Sequence, residues 1–517
     1  MGENTVSFWN KTAKADHYPR LDKNLICDVL IIGGGITGVT TAYCLAQKGE
    51  KPVLIEAGCL CDGTTGNTTG KVTIQHDIIY SNILKKHGRS FAKAYADSQT
   101  EALEFVRRQV RDLSIDCQLM ESPAYIYAQN GEERDAIIKE YQTAKDLGID
   151  AFFVDAPTFP PGGCGMVGFH GQLSFHAVRY VSALADAAVK MGARIYCDTK
   201  AVRLADDGEI KTVLCENDIT IEAKHLVMAT QYPFYDGPNL FFTRLYAKRA
   251  YGIALEAKRD WPEGNYINAG QPSRSIRTHV EGGKKILIVV GEGHPTGRGA
   301  ENEKTHFDNL RRFAEQIAGV DNVLATWSAQ DYETPDQIPY IGRISDHSTI
   351  YVGTGYGKWG LSSGTLAGML LADLITTGSC PYEAVYSRKR PDYSTSLGKT
   401  IAEVTLPVVE LVKSKIEPTE PVAGIRQGEG RVIRFEGQRA GIYRDFDDTV
   451  TILDISCTHM STTLNFNEAE KTWDCPAHGG RYSVDGKLLE GPPKHSLKVL
   501  FQGKYEEIAV RVEEENA

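Results

Sequence analysis

The chain lacks a long apolar run. Nothing in it approaches the roughly 18 residues that a membrane-crossing helix needs, and its opening, MGENTVSFWNKTAK, holds no apolar stretch of the kind a secretory leader carries. Positive charge is not in excess. With 57 Lys and Arg against 67 Asp and Glu, the net charge of −10 argues against nucleic acid as a main partner. Internal repeats and low-complexity tracts are missing. The eleven cysteines are scattered, as reduced thiols of a cytoplasmic protein are. Cys59 and Cys61 have no partner pair at metal spacing and read as ordinary thiols. What remains is a 517-residue chain, 42% hydrophobic, long enough for about three domains.

The most informative stretch runs from Cys27 to Glu56. A short apolar run, Val29 to Ile32, reads as a buried parallel strand. Gly33, Gly35 and Gly38 follow in G-x-G-x-x-G spacing, and Ile36, Val39, Tyr43 and Ala46 recur at helical spacing. Gly49 ends the helix, and Pro52 to Ile55 is the next strand, closed by Glu56. Gly33 permits a tight turn, Gly35 lets a pyrophosphate approach the backbone, and Gly38 lets helix and strand pack closely. The helix N-terminus offers N–H groups and partial positive charge to that pyrophosphate. Glu56 is placed to accept hydrogen bonds from a ribose. The pattern recurs at Gly163, Gly165 and Gly168, but Pro160-Pro161 precedes it and no helix follows, so that match reads as a loop.

After Glu56, residues 63–77 are a polar loop, GTTGNTTGKVTIQHD, able to wrap a dinucleotide and turn backbone N–H groups to it. Residues 89–111 and 171–192 read as helices. Strands are expected at 194–197, 212–215, 225–229, 251–255 and 285–290, the last two within a strand-rich block inserted between α/β pieces. A second strand, glycine turn and helix spans 349–375, with Gly355, Gly357 and Gly360 in the turn. Residues 381–421, punctuated by prolines, read as a linker with one helix, Thr395 to Lys415. From 422 onward short strands bounded by Gly and Asp predict a small antiparallel β domain.

That last domain carries Cys457-Thr-His459 and, further on, Cys475-Pro-Ala-His478-Gly-Gly480. Four-ligand zinc accepts two Cys and two His. A Rieske [2Fe–2S] centre takes two Cys on one iron and two His on the other. Zinc fingers group Cys with Cys and His with His, whereas here each loop supplies one of each, the Rieske arrangement. Residues 422–517 closely resemble the Rieske family, and Gly491-Pro492-Pro493 fits its third, proline-bearing loop. The resemblance makes Cys457, His459, Cys475 and His478 the cluster ligands. High-potential members add a disulfide between the loops, where Ser461 and Ala477 stand here. They also bond the cluster sulfurs through a Tyr and a Ser hydroxyl. Tyr482 is present, but Gly480 replaces the Ser. LKVLFQG, residues 497–503, falls where the last strands of such a domain belong.

The first 380 residues resemble the glycine oxidase/D-amino-acid oxidase family of flavoproteins. The resemblance rests on the N-terminal fingerprint, the GTTGNTTG loop, VMAT at 227–230, and TPDQIPYIGR with GTGYGKWGLSSG. It implies FAD bound by Gly33, Gly35, Gly38, Glu56, Thr65, Asn67 and Gly70. It places Gly357, Trp359, Gly360 and Leu361 against the isoalloxazine and ribityl chain, and Val202, at the end of a strand, against the adenine. Relatives that attach flavin through a Cys or a His have those residues where this chain has Ala329 and a His-free 63–70 loop, so the FAD is expected to be non-covalent. Where glycine-oxidase relatives clamp a substrate carboxylate with Arg, Asp331 stands, which suits an ammonium instead; Arg274 or Arg277 could supply another clamp. Lys358, His294 and Tyr251 are candidates for orienting substrate or tuning the flavin.

The expected fold is an FAD-binding α/β Rossmann-type domain (parts near 25–80, 170–232 and 330–380) with an inserted α+β substrate domain (near 81–169 and 233–329), followed by an all-β Rieske domain. The expected function is oxidation of a small amine or amino acid at the C–N bond, with electrons passed to the cluster and an external acceptor. Two alternatives are an NAD(P)H-fed reductase or monooxygenase component and a non-catalytic redox sensor. With one hydroxyl fewer at the sulfurs, the reduced cluster is less stabilised. Its potential is therefore predicted to lie below the upper third of the family's roughly −150 to +300 mV range; protein-film voltammetry reads it directly.

Overall fold

The computed structural model describes residues 6–235, 241–298, 304–390 and 419–508. The chain divides into two compact units, residues 1–241, 250–293 and 307–393 in one, and residues 242–249, 294–306 and 394–517 in the other. The expected helix from Thr395 to Lys415 lies outside the described residues.

The first unit is built on an eight-stranded sheet. Leu25–Ile32 lies at its centre, parallel to Val53–Ile55 on one side and to Thr220–Met228 on the other. Strand order reverses direction at that central strand, so a crevice opens at its carboxyl end, where α/β sheets hold their ligands. The central strand's buried half, Val29 to Ile32, is the continuous apolar run that a strand covered on both faces requires. Ile350–Thr354 continues the sheet in parallel, and Tyr340–Arg343 closes that edge antiparallel. Helices Ile36–Gln47 and Gly360–Thr377 pack on the sheet with small residues facing each other. A Cβ on Gly368 would lie 2.5 Å from Thr40 Cβ.

The second sheet of this unit has nine strands, mostly antiparallel. Arg274–Glu281 pairs with Lys284–Pro295 over eight residues, through the turn at Gly282-Gly283. The helix expected from 89 is Arg89–Asp112. The one expected from 171 begins later, at Ala177, because residues 171–174 finish the strand Gly165–Ser174. Of the second glycine motif, Gly163 lies in a loop, whereas Gly165 and Gly168 lie in that same strand. Gly165 and Gly168 pair with Met120–Ala128 and Ala151–Val154, and a Cβ on Gly168 would strike the Phe152 ring at 2.2 Å. Cross-strand packing, which local composition does not record, decides that segment.

One buried ion pair fastens the TPDQIPYIGR segment. Arg390 grips Asp336 from two nitrogens, Nε to Oδ2 at 2.6 Å and Nη2 to Oδ1 at 2.8 Å, and its guanidinium lies 4.4 Å from the Tyr340 ring centroid. Both side chains are under 5% exposed. Burial alone would raise the Asp336 carboxyl, but the guanidinium outweighs it and holds it below the usual carboxylate range.

The described C-terminal residues form two four-stranded antiparallel sheets. Glu429–Phe435, Gln438–Arg444, Thr449–Leu453 and Val499–Lys504 make one, and four three-residue strands between Asn465 and Glu490 make the other. The LKVLFQG segment supplies the edge strand, as its position in the chain requires.

Removing one partner of a buried, hydrogen-bonded ion pair leaves the other charge stranded, at a cost of about 3–5 kcal/mol. Arg390→Gln is expected to lose that much in urea unfolding. Because the Asp336 pKa is lowered on folding, the wild-type advantage is present above the unfolded carboxylate pKa and fades as pH falls through the lowered one.

Candidate cofactor-binding sites

At the carboxyl end of Leu25–Ile32 the three glycines do what their spacing requires. Gly33 has φ +113°, and a Cβ there would lie 2.4 Å from Ala229 O. Gly35 caps the helix Ile36–Gln47 in an extended conformation, and Gly38 sits so close to the preceding turn that a Cβ would fall 1.9 Å from Gly33 O. The Glu56 carboxylate accepts from Gly34 N at 2.5 Å and from Gly58 N at 3.1 Å. Burial raises its pKa, and those two amides oppose the rise. It thus closes the end of the crevice, where a ribose would sit.

The 63–70 loop is held from outside by its carbonyls. Ser7 Oγ donates to Gly66 O, Trp327 Nε1 to Asn67 O at 3.0 Å, Trp9 Nε1 to Thr68 O at 2.6 Å and Arg277 Nη1 to Thr69 O at 2.6 Å. A trans peptide turns its N–H opposite to its C=O. Four successive carbonyls engaged by the protein therefore direct the amides of this stretch away from those donors. Thr65 Oγ1 accepts from Ile36 N at 3.1 Å, tying the loop to the helix N-terminus. Asn67 braces the turn by donating to Gly63 O at 3.0 Å, and Gly70, at φ +79°, leaves room for Arg277. Asn67 N and Gly70 N are spent within the loop, on Thr64 O at 3.1 Å and Thr68 Oγ1 at 3.3 Å, so the amides of Thr68 and Thr69, with the helix N-terminus, are what a dinucleotide pyrophosphate would meet.

The second glycine turn lies in the same unit. Lys358 N donates to Asp331 Oδ2 at 2.6 Å and Tyr332 N to Asp331 Oδ1 at 2.8 Å, so Asp331 grips the turn that holds Gly357, Trp359, Gly360 and Leu361. Burial raises the Asp331 carboxyl to about 6, against the pull of those amides. Trp359 stacks on His76, ring centroids 4.8 Å apart. His76 Nε2 lies 2.7 Å from Thr73 O, which assigns the proton to that nitrogen and leaves Nδ1 to accept from Tyr95 OH at 2.7 Å. Burial holds this imidazole neutral, its pKa pushed down to about 3. The Lys71 ammonium lies 5.6 Å from the Trp359 ring centroid, and burial lowers it to about 7. Lys71, His76, Ser7 and Trp9 carry no sequence pattern, and only chain folding brings them here.

In the second unit, Cys457 and His459 lie in the loop after Thr449–Leu453, and Cys475 and His478 in the loop between Thr472–Asp474 and Arg481–Ser483. The donors pair off by kind. The two thiols are within hydrogen-bonding reach of each other, and the imidazole centroids are 5.0 Å apart. Among the described residues no three His, Cys, Asp or Glu converge on one ion. Two thiols and two imidazoles as separate pairs suit a two-iron cluster better than a single zinc. Tyr482 OH stands 3.6 Å from Cys457 Sγ. A Cβ on Gly480 would lie 3.6 Å from that sulfur but 2.5 Å from Pro493 Cγ, so the proline loop fills the space a serine would need.

The model of FAD dependent oxidoreductases matches residues 28–374, about two thirds of the chain, and that of Rieske [2Fe-2S] domains matches residues 417–501. The chain belongs to the FAD dependent oxidoreductase family. Its cofactors are FAD and, in its Rieske domain, a [2Fe–2S] cluster. The oxidoreductase is 36% identical to YhfW of Bacillus subtilis (strain 168), described as a Rieske 2Fe-2S iron-sulfur protein, over 96% of this chain and 97% of that one. It is 21% identical to gamma-glutamylputrescine oxidoreductase of Escherichia coli (strain K12), over 78% of this chain and 95% of that one. It shares the fold of glycine oxidase from Geobacillus kaustophilus, at 19% identity and a TM-score of 0.59, over 71% of this chain and all of that one.

Not every candidate residue of the oxidoreductase joins these groups. Tyr251 is fully buried in an apolar cluster with Leu310 and Ala314, edge-on to Phe307. His294 belongs to the second unit, stacked on His306 at 4.9 Å. Val202 is the second residue of Ala201–Asp206, at a register shift where it drops out of the ladder, so it stands at the start of a strand rather than its end. Arg274 is committed to Glu292, Nη2 to Oε1 at 2.6 Å, and Arg277 to the loop carbonyl, which leaves neither poised as a clamp.

Tyr482→Phe removes the hydroxyl that stands 3.6 Å from Cys457 Sγ. The potential is expected to fall by up to about 60 mV, a tenfold change in a one-electron equilibrium, with iron content unchanged; a redox titration followed by EPR measures it.

Proposed function

We propose that this oxidoreductase is an amine or amino-acid dehydrogenase that delivers its electrons through its own Rieske domain to an external acceptor. The substrate C–H beside nitrogen loses a hydride and the nitrogen loses a proton, leaving an imine. Bound FAD supplies a two-electron acceptor, and the cluster carries one electron at a time. The observation that carries the reading is the presence of both cofactor sites in a single chain, which fits a wire out of the flavoprotein better than direct reaction with oxygen. The resemblance to gamma-glutamylputrescine oxidoreductase and glycine oxidase supports an amine or amino acid as the substrate class.

The chain's own residues do the positioning. The amides of Thr68 and Thr69 and the helix N-terminus at Ile36 would hold the dinucleotide without a covalent bond, since Ala329 carries no nucleophile and the 63–70 loop has no His. Trp359 and neutral His76 stack beside the second glycine turn. Asp331 offers a carboxylate at that turn, where it pairs an ammonium or an amine N–H. With its pKa near 6, that carboxylate is charged above about pH 6 and loses its charge below. Asp331→Asn is expected to raise KM for an amine about tenfold, roughly 1.4 kcal/mol of binding, and to abolish the acid limb of the pH profile. An unchanged KM would move the ammonium site elsewhere.

Anaerobic titration with a panel of amines and amino acids tests the whole reading, with flavin bleaching before the cluster. In air, peroxide formed at one equivalent per amine oxidised, and unchanged in Cys457→Ser, would overturn it.

A further inference from the structure

The second unit contains two short pieces from within the flavoprotein region of the sequence, residues 242–249 and 294–306. One of them lies directly on a cluster loop. Gly297, at φ +70°, approaches so closely that a Cβ would stand 2.6 Å from Pro476 N and 2.8 Å from Cys475 C. Asn465 Nδ2 donates to Gly297 O at 2.8 Å, and Arg298 Nε donates to Pro476 O at 2.9 Å. Pro476 stands between the ligands Cys475 and His478. A guanidinium is thus hydrogen-bonded to the peptide next to a ligating cysteine, and the approach needs glycine before it.

The other piece reaches the strand before that loop, Thr472–Asp474, through a buried ion-pair network. Arg249, 2% exposed, donates from Nε to Glu470 at 2.6 Å, and Arg481 bridges Glu470 and Asp474, both at 3.1 Å. Asp474 immediately precedes Cys475. Both pieces therefore bear on the segment that presents the second pair of ligands.

We infer that Gly297 and Arg298 are part of the cluster's own site, and that the Arg298 cation sets its reduction potential. One-electron reduction adds a negative charge to the cluster. A cation held beside the ligand loop stabilises the reduced state more than the oxidised one, and its loss lowers the potential. The role complements Gly480: where the loop has no serine hydroxyl, a residue about 180 positions upstream supplies positive charge. Arg298 acts through the ligand loop and is a positioning and tuning residue.

The test is the cluster potential of the full-length protein, titrated with dithionite and mediators and followed by EPR, without any amine. It therefore stands or fails apart from the substrate reading. R298Q is expected to lower the potential by at least the 59 mV of a tenfold shift in a one-electron equilibrium, with R298K close to wild type. An iron-replete R298Q protein with the wild-type potential overturns the inference. If R298Q does not hold the cluster, R298A and R298K decide. Lys near wild type with Ala below it supports the inference, and Lys falling with Ala overturns it. Loss of the cluster in all three variants shows a structural role alone and also overturns it.

Discussion

A peptide group has two ends, and a protein that occupies one of them aims the other. The 63–70 loop depends on that constraint. It has no helix or ladder to fix its direction, so Ser7, Trp327, Trp9 and Arg277 take four carbonyls in a row. The cost of burying tryptophan N–H and guanidinium groups is met by those carbonyls, and within the loop Asn67 N and Gly70 N turn back on Thr64 O and Thr68 Oγ1. The helix at Ile36 adds its partial positive charge to the same crevice.

The same economy recurs where the chain needs an irregular backbone to hold still. Asp331 spends one oxygen on Lys358 N of the second glycine turn and the other on its neighbour's amide, Tyr332 N. Arg390 and Asp336 lock the segment before it. In the second unit, Pro476 O takes Arg298 while Gly297 packs against the ligand loop with no side chain between. In each case a side chain far away in sequence fixes a loop that its own residues cannot. A charged group does so most strongly, because a hydrogen bond to an ion is about twice as strong as a neutral one.

Burial sets the protonation states along the flavin side. His76 is kept neutral, Asp331 is lifted to about 6 and Lys71 brought down to about 7, in each case because the charged form loses water. These three side chains meet near Trp359 from two separate segments of the chain, so the electrical character of the site is a property of the packing.

The sequence by itself determined the elements whose signal is local. The Gly33 to Gly38 spacing, the apolar strand before it and the acid after it record short-range demands of a turn, a helix start and the amides of Gly34 and Gly58. The Cys and His order at 457–478 likewise names a two-iron ligand set, since each loop supplies its own pair. Tertiary structure decided what depends on distant partners. It made Gly165 and Gly168 part of a strand, put Tyr251 in a core, and moved Val202 to a strand's start. It also brought Ser7 and Trp9 to a loop some sixty residues on, and Arg298 to Pro476. Periodicity and spacing carry information over a turn or two of chain, whereas a hydrogen bond between residues far apart in sequence leaves no pattern in either neighbourhood.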